Sequence, residues 1–197
     1  MLFRSHAELY IGLVEVGVGV IPGWGGCKEL LGRQLENPKL PRGPVPAVAT
    51  AFQTISTAQV SKSAVQARDL TYLRETDGIT MNRDRLLADA KARALSMVEG
   101  YTPPKPHEYH LPGPSGRTAL SMAVHDFVTA GKATPYDVVV SDALAVVLTG
   151  GDTDYLDTLS EDDISKLERR AFIGLCKQDG TIDRIETMLT TGKPLRN

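Results

Sequence analysis

The fold class predicted by this sequence is mainly α with little β, and three observations carry it. Apolar residues recur at helical spacing along most of the chain, as at Val48, Phe52 and Ile55 and again at Leu86, Leu87, Ala90 and Ala94. Helix-opening signals precede such runs, above all Ser160-Glu-Asp-Asp163 and Thr134-Pro135. Extended segments are short and few, at 9–14 and 79–81, too few for a free-standing α/β domain.

Taken in order, LYIGLV at 9–14 reads as a short buried strand. A glycine-rich turn leads into a helix over 24–33, after which Pro38, Pro41, Pro44 and Pro46 mark a rigid connection. A helix over 45–57 follows, and Ser63 is placed to cap the short helix of SAVQARDL. Asn82 then caps a helix over 83–98, rich in Ala, Leu, Arg and Lys, whose apolar stripe is Leu86, Leu87, Ala90 and Ala94. GYTPPKPHEYHLPGPSG at 100–116 is the clearest linker, dense in proline and glycine. Beyond it come helices over 117–130 and 135–148, one opening at Ser160, and one over 181–191 that stops at Gly192 with Pro194 beyond.

At 197 residues the chain can build one good core, or one domain with an appended lobe. A net charge of −2 with scattered lysines and arginines gives no electrostatic case for nucleic acid. No run reaches the roughly 18 apolar residues of a membrane span, and no signal peptide is read at the start. Cys27 and Cys176 lie far apart without metal-type spacing, so reduced thiols and a cytoplasmic setting are expected.

Several motifs fail on inspection. Gly17 and Gly19 begin a dinucleotide-type loop, but Pro22 stands where the third glycine belongs. In DTDYLDTLSEDD at 152–163 an EF-hand fails at Leu156 and Asp157, and the acids suit a helix N-terminus. His107-Glu-Tyr-His110 lies in a proline-rich segment rather than on a zinc-binding helix, and Arg117 spoils a nucleophile elbow at Ser115. No metal site is expected.

Glu15 is different. It is a lone acid beside Leu13, Val14 and Val16, followed by Pro22-Gly23-Trp24-Gly25-Gly26. Partial desolvation would suit it to proton transfer near neutral pH, and the glycines would let backbone approach a ligand closely. On the residues alone the favoured reading is an acid pointing to solvent at the end of a strand, followed by a glycine turn.

ELYIGLVEVGVGVIPGWGGCKELL resembles the crotonase (enoyl-CoA hydratase/isomerase) segment P-E-x-x-x-G-x-x-P-G-x-G-G-x-x-x-L. Glu15 falls on its acid, Gly19 on its glycine, and Pro22-Gly23 with Gly25-Gly26 on its turn. SAVQARDLTYL resembles the family's S-A-x-x-A-x-x-x-G-L-V, with Thr71-Tyr72 in place of Gly-Leu. ITMNRDRLLADAKARAL, VVSDALAVVLTGGD and MLTTGKPLRN resemble the C-terminal region of a subgroup in which a 3-hydroxyacyl-CoA dehydrogenase precedes the crotonase domain, serving fatty-acid β-oxidation.

The resemblance implies the C-terminal, helix-rich part of a crotonase α/β fold, without its upstream strands. Residues 1–99 would be the end of the crotonase core, 100–116 a linker and 117–197 a C-terminal helical region. Glu15 would be one of two catalytic glutamates, a proton donor to the Cα of an enoyl-CoA. Pro22, Gly23, Trp24, Gly25 and Gly26 would line the acyl pocket, with Trp24 narrowing it. A CoA thioester would be the substrate, and no cofactor would sit on this chain, NAD belonging to an upstream domain. The partner glutamate and the first oxyanion loop would also lie upstream, leaving the segment inactive alone. A homo-oligomer or the upstream crotonase half is the expected partner. The other reading is a non-catalytic helical module for assembly.

Overall fold

The computed structural model describes residues 4–197, and among these helix dominates: eight α-helices against six strands of two or three residues. The residues group into two compact units, one of residues 1–12 and 60–106, the other of 13–59 and 107–197.

In the first unit β1 (Arg4–His6) pairs in parallel with β4 (Gly78–Thr80), Ser5 opposite Ile79. The expected strand over 9–14 shrinks to β2 (Ile11–Gly12), antiparallel to β3 (Val60–Ser61). The strand gives way to a 3-10 turn, Glu15–Val18, whose first hydrogen bond runs from the Gly17 N–H to the Val14 carbonyl. Ser63 caps α3 (Ala64–Asp69) as expected, its side chain accepting from the Gln66 N–H. Thr71 is left-handed, φ +60°, at the position where the resembling pattern carries glycine. Asn82 accepts from the Asp84 N–H and opens a 3-10 turn before α4 (Leu86–Leu95). The stripe expected on that helix is not a core face: α4 buries no residue, and Leu87 and Leu95 are exposed. Periodicity announces a face able to bury itself, and within this unit the strand the helix meets, β1, is too short to cover it.

The second unit holds α1 (Gly26–Leu35), α2 (Pro44–Ser56), α5 (Gly113–Thr129), α6 (Pro135–Leu148), α7 (Glu161–Cys176) and α8 (Asp179–Thr191). Its axis is α6, which packs on α1, α2, α5 and α7. That follows from its sequence, PYDVVVSDALAVVL, apolar on most sides, with Val140, Leu144, Ala145, Val147 and Leu148 buried. Thr134 and Asp137 close a reciprocal capping box at its start, and Ser160 with Asp163 does the same for α7. Val48, Phe52 and Ile55 form the buried side of α2. Glu108–Tyr109 (β5) pairs with Leu159–Ser160 (β6), Tyr109 and Leu111 are buried, and the Tyr109 hydroxyl donates to the Lys28 carbonyl.

A buried guanidinium ties the unit together. Arg184 of α8 is 3% exposed and donates to Asp137 Oδ1 at 2.8 Å, to Thr134 Oγ1 at 3.2 Å, to the Val16 carbonyl at 3.2 Å and to Asn197 Oδ1 at 2.8 Å. Burial alone would raise the Asp137 carboxyl, but the Thr134 backbone N–H and Arg184 outweigh it and hold the group below the usual carboxylate range. Arg184→Ala is expected to cost about 3 kcal/mol in urea unfolding, since it strands Asp137 and three further acceptors. Because the folded Asp137 is the stronger acid, its contribution is full at neutral pH and is lost as pH falls through the folded value. The stability gap between wild type and Asp137→Asn should therefore hold steady from pH 7 to 5 and close below about pH 4.

Candidate functional site

The candidate site is built on residues 13–27. Glu15 opens a 3-10 turn, Glu15–Val18, in which the Gly17 N–H donates to the Val14 carbonyl and the Gly19 N–H to the Val16 carbonyl. Gly19, at φ +82°, reverses the chain so that Val20 and Ile21 enter the core. Two side chains fix this end from behind. Thr181 Oγ1 donates to the Gly19 carbonyl at 2.6 Å, and Arg184 holds the Val16 carbonyl. The Glu15 carboxylate is half-buried, and its Oε2 is buried without a hydrogen-bond partner.

The glycine turn follows. Pro22 is buried, Gly23, Gly25 and Gly26 are half-buried, and Trp24 is 95% exposed. Gly25 takes φ +93° to begin α1. The turn sits so close to its surroundings that a Cβ on Gly23 would lie 2.7 Å from the Phe172 ring, and one on Gly26 2.8 Å from Pro22.

Glu168 of α7 meets the first amides of α1. It is fully buried, its Oε1 accepts from the Cys27 N–H at 2.8 Å, and its Oε2 has no hydrogen-bond partner. Burial pushes its carboxyl up, opposed by the N–H groups of Cys27 and Gly25. Cys27 is a buried free thiol, pushed well up by burial first and then by the negative charge of Glu168 and of Glu15. Both carboxylates thus act on one thiol at the head of α1. At the next residue, Lys28 Nζ pairs with Glu161 Oε2 at 2.9 Å, and the His107 N–H donates to Glu161 Oε1.

Sequence reasoning singled out Glu15 and the turn but not Glu168, Phe172, Thr181 or Arg184. Glu168 does carry a signal. It lies four residues after Ile164 and seven before Leu175, both buried, so a charged residue stands on an apolar stripe.

Beyond the turn, an apolar cavity of about 700 Å³ opens between α2, α5 and α6. Phe52, Leu120, Val124 and Phe127 wall it, and Val16, Gly17, Lys132 and Arg196 also line it. None of Pro22 to Gly26 lines it. Among the described residues no cluster of His, Cys, Asp or Glu could hold a metal ion. His107 packs edge-on against Tyr109, and His110 Nδ1 bonds the Asp157 carbonyl. In the acidic stretch Asp157 Oδ2 accepts from the Asp154 N–H and Asp163 is spent on its cap. No helix among the described residues is long and apolar enough to cross a membrane.

Against this geometry stand two known proteins. The chain resembles part of a 3-hydroxyacyl-CoA dehydrogenase. Over 197 residues, 98% of this chain and 24% of the relative, it is 39% identical to a probable 3-hydroxyacyl-CoA dehydrogenase of Bacillus subtilis. Over 185 residues, 94% of this chain and 22% of the relative, it is 28% identical to a Rickettsia felis protein named as a fatty acid oxidation complex trifunctional enzyme. The chain therefore spans less than a quarter of the length of each of these curated relatives. No protein-family model matches it.

The two thiols should separate cleanly. Exposed Cys176 is expected to be alkylated by iodoacetamide within minutes at pH 8, and Cys27 only once the chain is unfolded in denaturant. Peptide mass spectrometry reads each site.

Proposed function

We propose that this chain is part of an enoyl-CoA hydratase of fatty-acid β-oxidation, carrying one of its two catalytic glutamates. In that reaction water adds through oxygen to Cβ of a trans-2-enoyl-CoA, one water proton is taken up by a glutamate, and Cα receives a proton. Glu15 is the donor to Cα. The partner glutamate and the first oxyanion N–H, which stabilises the developing charge on the thioester oxygen, are assigned to sequence outside these 197 residues. NAD chemistry is assigned there as well.

The single observation that carries the reading is the Glu15 carboxylate itself. One of its oxygens is buried yet makes no hydrogen bond, on a backbone pinned from behind by Thr181 and Arg184. The relatives' names supply the β-oxidation setting. The cavity is mostly apolar, with Lys132, Arg196 and the Asp137–Arg184 pair also lining it, which suits an amphipathic anion such as an acyl-CoA. Trp24, exposed on this chain, would wall the acyl pocket with Pro22, Gly23, Gly25 and Gly26 only against other parts of the full protein.

In a full-length protein carrying this segment, Glu15→Gln is expected to lower hydratase kcat by at least about 10³-fold with little change in melting temperature. Near-normal turnover would remove Glu15 from the reaction. The 197 residues alone are expected to hydrate no enoyl-CoA.

A second reading, a helical assembly module, is favoured by one feature. Ile182, Ile185 and Leu189 stand exposed on α8 at i, i+3 and i+7. Light scattering of the isolated chain should show a dimer or larger species that Ile185→Glu with Leu189→Glu converts to monomer.

A further inference from the structure

We propose that Glu168 is the positioning residue of the Glu15 site: from α7 its carboxylate seizes the N-terminal amides of α1 and, with Phe172, fixes the Gly23–Cys27 turn. The reaction so served rests on the hydratase reading, but the clamp does not.

The first amides of any α-helix lack intrahelical partners, and the helix dipole makes that end a site for negative charge. At α1 no capping side chain supplies an acceptor locally, because the N-cap is Gly25. The acceptor comes instead from 141 residues away, Glu168 Oε1 on the Cys27 N–H at 2.8 Å. A glycine-rich turn before a helix is the backbone form that elsewhere holds phosphate, and here the chain's own carboxylate occupies the place of the anion.

The same helix supplies the rest of the grip. Phe172 lies one turn after Glu168, its ring against Gly23 so closely that no Cβ would fit. Glu161, two turns before, holds Lys28 in α1. Three side chains of α7 thus hold Gly23, Cys27 and Lys28. The charged and titratable groups around Glu168 include the Cys27 thiol, the Lys28 ammonium and the Tyr109 phenol, with Glu15 acting on the same thiol. Glu168 Oε2 is buried without a hydrogen bond, so the bond to the Cys27 N–H runs through Oε1 alone.

Amide hydrogen exchange on the 197-residue chain, read residue by residue by NMR, tests the clamp without any turnover. Glu168→Ala should lower protection of the Cys27 amide at least about tenfold while α6 amides stay within about twofold. Glu168→Gln, which keeps an acceptor oxygen at the same reach, should restore protection to within about threefold. Should the alanine variant fail to fold, Glu168→Asp replaces it, since its retracted carboxylate should also lose the Cys27 bond. Wild-type protection of Cys27 in the alanine or aspartate variant overturns the clamp.

In the full-length protein Glu168→Ala should lower hydratase kcat at least about tenfold at unchanged KM, with Glu168→Gln restoring it. Unchanged kcat with a deprotected Cys27 amide overturns the positioning role. If Glu15→Gln retains full activity, the hydratase reading falls and the exchange result still decides the clamp.

Discussion

The second unit depends on one buried cation. A guanidinium taken out of water must recover its solvation from the protein, and Arg184 does so with four acceptors and the face of Tyr136. Those acceptors come from separate places: the 3-10 turn after Glu15, the capping box that opens α6, and the last residue, Asn197. Meeting the needs of one charge therefore draws three distant segments together. The neighbouring Tyr136 hydroxyl and Thr181 Oγ1, 2.7 Å apart, extend the network to Gly19.

From this follows a division of labour around Glu15. The near side of its segment, Val16 to Gly19, is fixed by α8 through Arg184 and Thr181. The far side, Gly23 to Cys27, is fixed by α7 through Phe172 and Glu168. Between them Val20 and Ile21 are driven into the core. The segment has little latitude to choose its conformation, although it contains five glycines between Gly17 and Gly26. Glycine entropy that would otherwise favour a loose loop is overcome by two helices whose polar side chains are satisfied only when the loop is in place.

What the sequence made legible was local. The caps at Ser63, Asn82, Thr134 and Ser160, the stop at Gly192 and the buried face of α2 each arise from residues a few positions apart, and each is found in the structure. The turn at Glu15 was misread as following a longer strand because Leu9 to Val14 are strand-like one by one, while the glycines after them set the hydrogen bonding. The order of Tyr109 and Leu111 was hidden by the prolines around them. Glu168 and Arg184 were invisible for a different reason. Glu168 finds its partner 141 residues away and Arg184 gathers acceptors from 13 to 168 residues away, and a charged residue in a polar helix announces nothing unless its place on the apolar face is noticed.

That contrast bears on why the two acids behave differently. Glu15 and Glu168 each keep one buried oxygen without a partner, and both act on Cys27. Glu168, however, spends its other oxygen on the backbone of α1, so its position is dictated by the helix it caps. Glu15 has no such bond to hold its side chain, and it is the backbone beneath it that is pinned. A carboxylate anchored through its own oxygen is suited to holding a structure. One anchored through its main chain, with a buried oxygen left without a partner, is what the proton transfer proposed for Glu15 asks for.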